Sequence, residues 1–186
     1  MKNPLPTFTI RLATMDDLPS LQELIAQSVW QLQASDYSDA QREAATRIVY
    51  GTDTQLIRDG TYYVVEIDGQ IIACGGCSRR RTLFGGDQHK PTFEPELLNR
   101  YTDAAKIRAF FVRPGWERRG IGSAMLRACE EAALVEGFCR LEMGSTLTGV
   151  ALYRAYGYRE VERIEVPLDG GLTMTIVRME KSFNSP

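Results

Sequence analysis

Apolar residues alternate at the start of the chain. Phe8, Ile10 and Leu12 fall on one face of an extended segment, which predicts a strand over 8–12. The spacing then lengthens: Leu18, Leu21, Leu24, Ile25 and Val29 share one helical face and predict an amphipathic helix over 16–29. Thr14 and Asp17 precede it as a capping-box pair. Pro19 is compatible with that helix if regular hydrogen bonding begins near Asp17. The polar segment 31–38 reads as a connection, 39–50 as a second helix, and 52–58 as a short third one ended by Asp59-Gly60. Strands are predicted over 61–67 and 70–78, joined by the two-residue hairpin turn Asp68-Gly69.

The second half follows the same logic. Residues 79–104 lack a single period: three arginines, Gly85-Gly86, Pro91, then a short helical piece over 95–101. Excursions of this length are usually lids or binding loops. A strand over 106–113 closes at Pro114-Gly115. Ile121, Met125, Ala128, Cys129, Ala132 and Val135 predict a helix over 118–136, with Gly137 as its C-cap. A strand (138–145), a short helix (148–156), a strand (158–166), a turn at Leu168-Asp169-Gly170-Gly171 and a last strand (172–180) complete the order. Hairpins mixed with crossovers imply an α+β fold with a mixed sheet. No repeat or linker divides the chain, so one domain is expected over 1–186, with its core at about 8–180.

Composition narrows the function. A net charge of −2 argues against a general nucleic-acid binder. No run approaches the roughly 18 apolar residues of a membrane span, and Met1-Lys2-Asn3-Pro4-Leu5-Pro6 lacks a secretory apolar run. The expected location is the cytoplasm. Cys74-Gly75-Gly76-Cys77 has redox or metal-clip spacing, but it lies in a predicted strand, and no second pair completes a metal site. The one histidine, His89, stands in a polar loop. Structural cysteines and no metal are therefore expected.

The sharpest chemistry lies where the strand over 106–113 gives way to the next helix, at Arg118-Arg119-Gly120-Ile121-Gly122-Ser123. A helix N-terminus offers unpaired N–H groups and partial positive charge to a phosphate. Glycines let a pyrophosphate approach the backbone, and the arginines add permanent charge. The loop is not a P-loop, because Ile121-Gly122-Ser123 follows Gly120 in place of Lys-Ser/Thr. It is not a dinucleotide fingerprint either: Met125 occupies the third-glycine position. Alone it supports a phosphate-bearing ligand, or simply a helix that begins with an Arg-Arg-Gly turn.

Val112-x-Pro114 followed by Arg119-Gly120-Ile121-Gly122-Ser123-Ala124-Met125-Leu126 resembles the acyl-CoA loop of the GNAT superfamily of N-acetyltransferases. Ala151-Leu152-Tyr153-Arg154-Ala155-Tyr156-Gly157-Tyr158 is similar to a second segment of that family, and the element order agrees over nearly the whole chain. The resemblance implies a twisted, mixed and mostly antiparallel sheet of about seven strands flanked by four or so helices. It implies that acetyl-CoA binds along the strand holding Phe110, Phe111 and Val112. The amides of Arg118, Arg119, Gly120, Ile121, Gly122 and Ser123 would hold the pyrophosphate. In the family that strand is bulged and splays from its neighbour. Tyr153 stands at the family's general-acid position. Two departures are visible: Glu117 where Gln or Arg is usual, and Thr146 where relatives often carry Asn.

The implied activity moves an acetyl group from acetyl-CoA to a primary amine by direct transfer in a ternary complex. The expected partners are a small-molecule or peptide amine, with a homodimer left open; neither nucleic acid nor a membrane is expected. Relatives often place a carboxylate base on the strand before the loop, and 106–110 carry none. Glu142 and Glu66 are the candidates on other strands, and an amine arriving neutral would need no base. The acceptor site is expected from 30–37, from the 79–104 excursion and from the final hairpin, with Arg79, Arg80 and Arg81 as a solvated run or an attractant for an acidic acceptor. A non-catalytic acyl-CoA-binding module and a nucleotide-binding protein remain the alternatives.

Overall fold

The computed structural model describes residues 7–89 and 96–183. The strands are β1 (Thr9–Leu12), β2 (Tyr62–Ile67), β3 (Gln70–Ser78), β4 (Ala105–Val112), β5 (Arg140–Thr146), β6 (Arg159–Pro167) and β7 (Thr173–Ser182). The helices are α1 (Leu18–Leu32), α2 (Asp39–Ile48), α3 (Thr54–Arg58), α4 (Ile121–Val135) and α5 (Val150–Ala155). The strands form one sheet in the order β1-β2-β3-β4-β5-β7-β6. Every pair is antiparallel except β4 with β5. This is the α+β architecture expected from the element order, with seven strands and five α-helices among the described residues.

Each face of the sheet carries its own core. On one, Leu21, Leu24 and Val29 of α1 and Ala44 and Ala45 of α2 pack against Tyr62, Val64, Cys74 and Ile176. On the other, Met125, Leu126 and Cys129 of α4 pack against Val65, Ile72, Leu141 and Met143. Burial of this apolar area is the main stabilising term. The thiols of Cys74 and Cys77 are buried, and loss of solvation pushes both up to about 12, so they stay protonated.

Several boundaries differ from the expectations. α1 continues to Leu32, and its entry at Met15–Asp17 is a 3-10 turn. Pro19 then sits in the first turn, where no helical N–H is required of it. α4 begins at Ile121, not Arg118, because Arg118 (φ 62°) and Gly120 (φ 78°) are left-handed and hold the preceding loop out of the helix. Of the helix expected over 95–101, Pro95 lies outside the described residues, and 96–101 are not helical. Leu97 instead bridges Arg80, with Leu98 N–H donating to Arg79 O at 2.7 Å. Pairing with the segment just past β3 outcompetes the local helical tendency.

The feature that creates the site is a break in the sheet. The β4–β5 ladder holds only three pairs, Ala105 with Leu141, Lys106 with Glu142 and Ile107 with Met143. Beyond them the strands part, although β4 runs on to Val112 and β5 to Thr146. A bulge is the cause. Cys74 faces Phe111 and Gly76 faces Arg108, so three steps on β4 oppose two on β3. Ala109 sits at φ 50°, a strained conformation for an alanine. Its carbonyl accepts from the Tyr62 hydroxyl at 3.3 Å and the Cys74 thiol at 3.6 Å, which anchors the bulge in the core.

Candidate active site

A cavity of about 710 Å³ occupies the splay. Its wall includes residues from both cores, so it crosses the sheet from the α4 side to the α1–α2 side. Phe110 contributes from the α4 face and Phe111 from the other. Phe110 meets Tyr153 edge-on at 5.9 Å, and Phe111 meets Tyr50 at 5.8 Å. Val112 lines the same wall. On the side of β4 that faces β5, the strand carries no ladder beyond Ile107, which leaves backbone groups available to a ligand.

The loop before α4 forms one end. Gly120 is the N-cap, and the first regular bond runs from Ala124 N–H to Gly120 O at 2.9 Å. The amides of Ile121, Gly122 and Ser123 therefore have no helical partner, and no acidic side chain occupies the first turn to compete for them. Gly122 packs tightly: a Cβ there would stand 3.3 Å from Leu152 Cδ2. Arg118, Gly120, Gly122 and Ser123 line the cavity, with exposed Glu117 at its mouth. Ile121 is buried in the core, so only its backbone can reach a ligand. Arg119 stacks its guanidinium over Trp116 at 5.0 Å and does not line the wall. These groups have the chemistry of a polyanion cradle.

Tyr153 lies midway. It is buried, with its ring between Phe110 and Tyr158, both at 5.9 Å, and it lines the cavity. Its hydroxyl makes no hydrogen bond among the described residues. Burial raises its pKa well above the ordinary phenol value, so it is fully protonated near neutrality.

The sequence matches the acetyltransferase (GNAT) family over residues 26–158. The chain belongs to that family. A comparison with curated proteins yields no match. Among solved structures, the chain is similar to a GCN5-related N-acetyltransferase from Rhodopseudomonas palustris, with TM-score 0.69 and 18% identity, covering 97% of this chain and 99% of that one. It is also similar to the PaiA N-acetyltransferase of Thermoplasma acidophilum in complex with coenzyme A (TM-score 0.64, 15% identity, 95% and 99% covered). A third likeness is to a ribosomal-protein-alanine N-acetyltransferase from Brucella melitensis (TM-score 0.61, 20% identity, 94% and 99% covered). At these identities the likenesses show the fold. The family membership makes this GNAT protein an acetyl-CoA-dependent N-acetyltransferase.

Other candidates from the sequence lie elsewhere in this GNAT chain. Glu142 is held between Lys106 and Arg178, and Glu66 pairs with Arg11 at 2.9 Å; neither lines the cavity. Arg80 is held by Asp59 at 2.6 Å, Arg79 by Glu136 at 3.4 Å and Arg81 by Glu96 at 3.1 Å, so this run is a set of ion pairs away from the site. Thr146 caps the turn into α5 by accepting from Gly149 N–H at 3.2 Å. At the α1–α2 end, Leu32, Gln33, Leu83 and Phe84 come from segments the sequence marked out, while the final hairpin gives only Ile176. Ser28, Val49, Tyr50 and Gly51 were missed, because nothing local marks the exit of α2 as a wall. A second, polar pocket of about 340 Å³ lies between Lys106, Arg140, Arg178 and Lys181. Among the described residues no helix is long and apolar enough to cross a membrane.

Proposed function

We propose that residues 8–180 form one N-acyltransferase unit that moves an acetyl group from acetyl-CoA to a primary amine by direct transfer in a ternary complex. One observation carries the reading: a single cavity joins the free amides at the start of α4 to an apolar chamber on the opposite face of the sheet, with Tyr153 between them. The amides of Ile121, Gly122 and Ser123, with Arg118 beside them, suit the pyrophosphate. The open side of β4 around 110–112 suits the amide-bearing arm of the same molecule. Acetyl-CoA supplies an activated thioester. The acceptor nitrogen forms its bond to the acetyl carbon as the carbon–sulfur bond breaks, and the surplus amine proton leaves to water. Tyr153 holds the proton that the departing thiolate takes, and recovers one from solvent. Four free cysteines suit a reducing compartment such as the cytoplasm.

The nucleophiles at hand favour direct transfer. No cysteine lines the cavity, and Ser145 Oγ donates to Thr146 O at 2.7 Å with no base beside it. Initial velocities over a grid of acetyl-CoA and amine concentrations should give intersecting double-reciprocal lines. Parallel lines would indicate an acyl-enzyme and overturn the ternary mechanism.

A further inference from the structure

We propose that the chamber under α1 and α2 takes a primary amine carried on an apolar, aromatic or alkyl body, and takes it uncharged. This rests on the acetyl-transfer reading above and names its substrate class.

The walls argue for it first. Leu32, Val49, Tyr50, Phe84, Phe111 and Ile176 surround this end of the cavity. Its one charged wall residue, Arg108, is already neutralised. The guanidinium is 2% exposed, pairs with fully buried Asp53 at 2.8 Å, and donates to Gly85 O at 2.6 Å. A carboxylate on the acceptor would have to draw Arg108 away from Asp53. Among the described lining residues the only carboxylate is Glu117, at the opposite end beside the α4 loop. Asp36 accepts from Thr148 Oγ1 at 2.5 Å, and Asp87 accepts from Thr54 N–H at 3.1 Å; neither is part of the wall. A polyamine or a lysine-rich peptide would therefore leave water with no counter-charge to meet it, which is strongly unfavourable.

The same lack of carboxylates selects the protonation state. Among the described wall residues an ammonium meets no counter-charge here, whereas a neutral amine needs none, and its N–H can donate to the buried Gln33 Oε1, which has no donor in the structure. Other titratable groups facing this end do not change the balance. Burial raises Tyr50, and burial and then Arg108 lower His89, which stacks on Phe84 at 5.3 Å. The Tyr37 hydroxyl donates to Thr175 O, and Tyr153 is protonated. A chamber that admits only free amine needs no dedicated base, which fits the lack of one among the described lining residues.

The test compares phenethylamine, spermidine, a lysine-containing peptide and glutamate as acceptors for the full chain, reading thiol release, with CoA affinity measured by calorimetry. The expected kcat/KM for phenethylamine exceeds the others by about 10²-fold and rises about tenfold per pH unit below the pKa of the amine, as its neutral fraction does. Phe84→Asp, which adds a carboxylate to the wall, should lower phenethylamine turnover about tenfold and raise that of spermidine, with CoA affinity unchanged. Preference of the unaltered chain for spermidine, the peptide or glutamate overturns this inference and leaves acetyl transfer standing. An unmoved preference in Phe84→Asp overturns the assignment of the chamber. No turnover on any amine overturns the acetyl-transfer reading, and the inference with it.

Discussion

Gly120→Asp is expected to abolish CoA binding, with calorimetry showing an affinity loss of at least about 10²-fold. Gly120 is the N-cap of α4 at φ 78°, and its neighbours' amides are the free donors of the cavity's anion end. Aspartate tolerates left-handed backbone better than most residues and is a favourable N-cap, so the helix should survive. Its carboxylate would occupy the amides and oppose the pyrophosphate. Two like charges about 4 Å apart at an effective dielectric near 20 repel by roughly 4 kcal/mol, about 10³-fold in affinity. Gly120→Asn adds nearly the same bulk without charge and should lose far less. Equal losses in the two variants would show that space, not charge, governs the loop, and unchanged affinity in Gly120→Asp would remove the site.

Tyr153→Phe should lower kcat by about 10²-fold while CoA affinity stays within about threefold, the pattern of a lost proton donor. The substitution is close to isosteric. The ring stays between Phe110 and Tyr158, and the hydroxyl has no hydrogen bond to lose among the described residues, so little stability should change. The sign of the pH dependence follows from burial. A phenol pushed above its ordinary pKa remains protonated through neutral and moderately alkaline pH. Turnover should not fall on the alkaline side until well past the ordinary phenol value. An unaltered kcat in Tyr153→Phe would assign Tyr153 to packing alone.

Local patterns made much of the fold legible. Strand alternation, the Asp68-Gly69 turn and the apolar stripe of α4 are properties of neighbouring residues, and they survive in the structure. The loop was legible because its glycines and arginines are contiguous. The splay came only with the family resemblance, since it depends on Ala109 at φ 50°, and alanine gives no local sign of a left-handed backbone. One sign did exist, in Gly75-Gly76 opposite the bulge. A Cβ on Gly75 would stand 2.6 Å from the Phe110 ring, so these glycines between the cysteines serve close approach. Glu142, one of two candidate bases, could not be placed from sequence for lack of register. Pairing with β4 and β7 sets it between Lys106 and Arg178, which no spacing reveals. The acceptor chamber assembles segments far apart in the chain, and its charge balance depends on the Asp53–Arg108 pair.

Amide hydrogen exchange with and without acetyl-CoA tests the placement of the donor in the splay most directly. Binding should slow exchange at 121–123 and along 110–112, and leave the polar pocket of Lys106, Arg140 and Lys181 unaltered. Unchanged exchange at 121–123 under saturating acetyl-CoA, or protection confined to that polar pocket, would contradict the account.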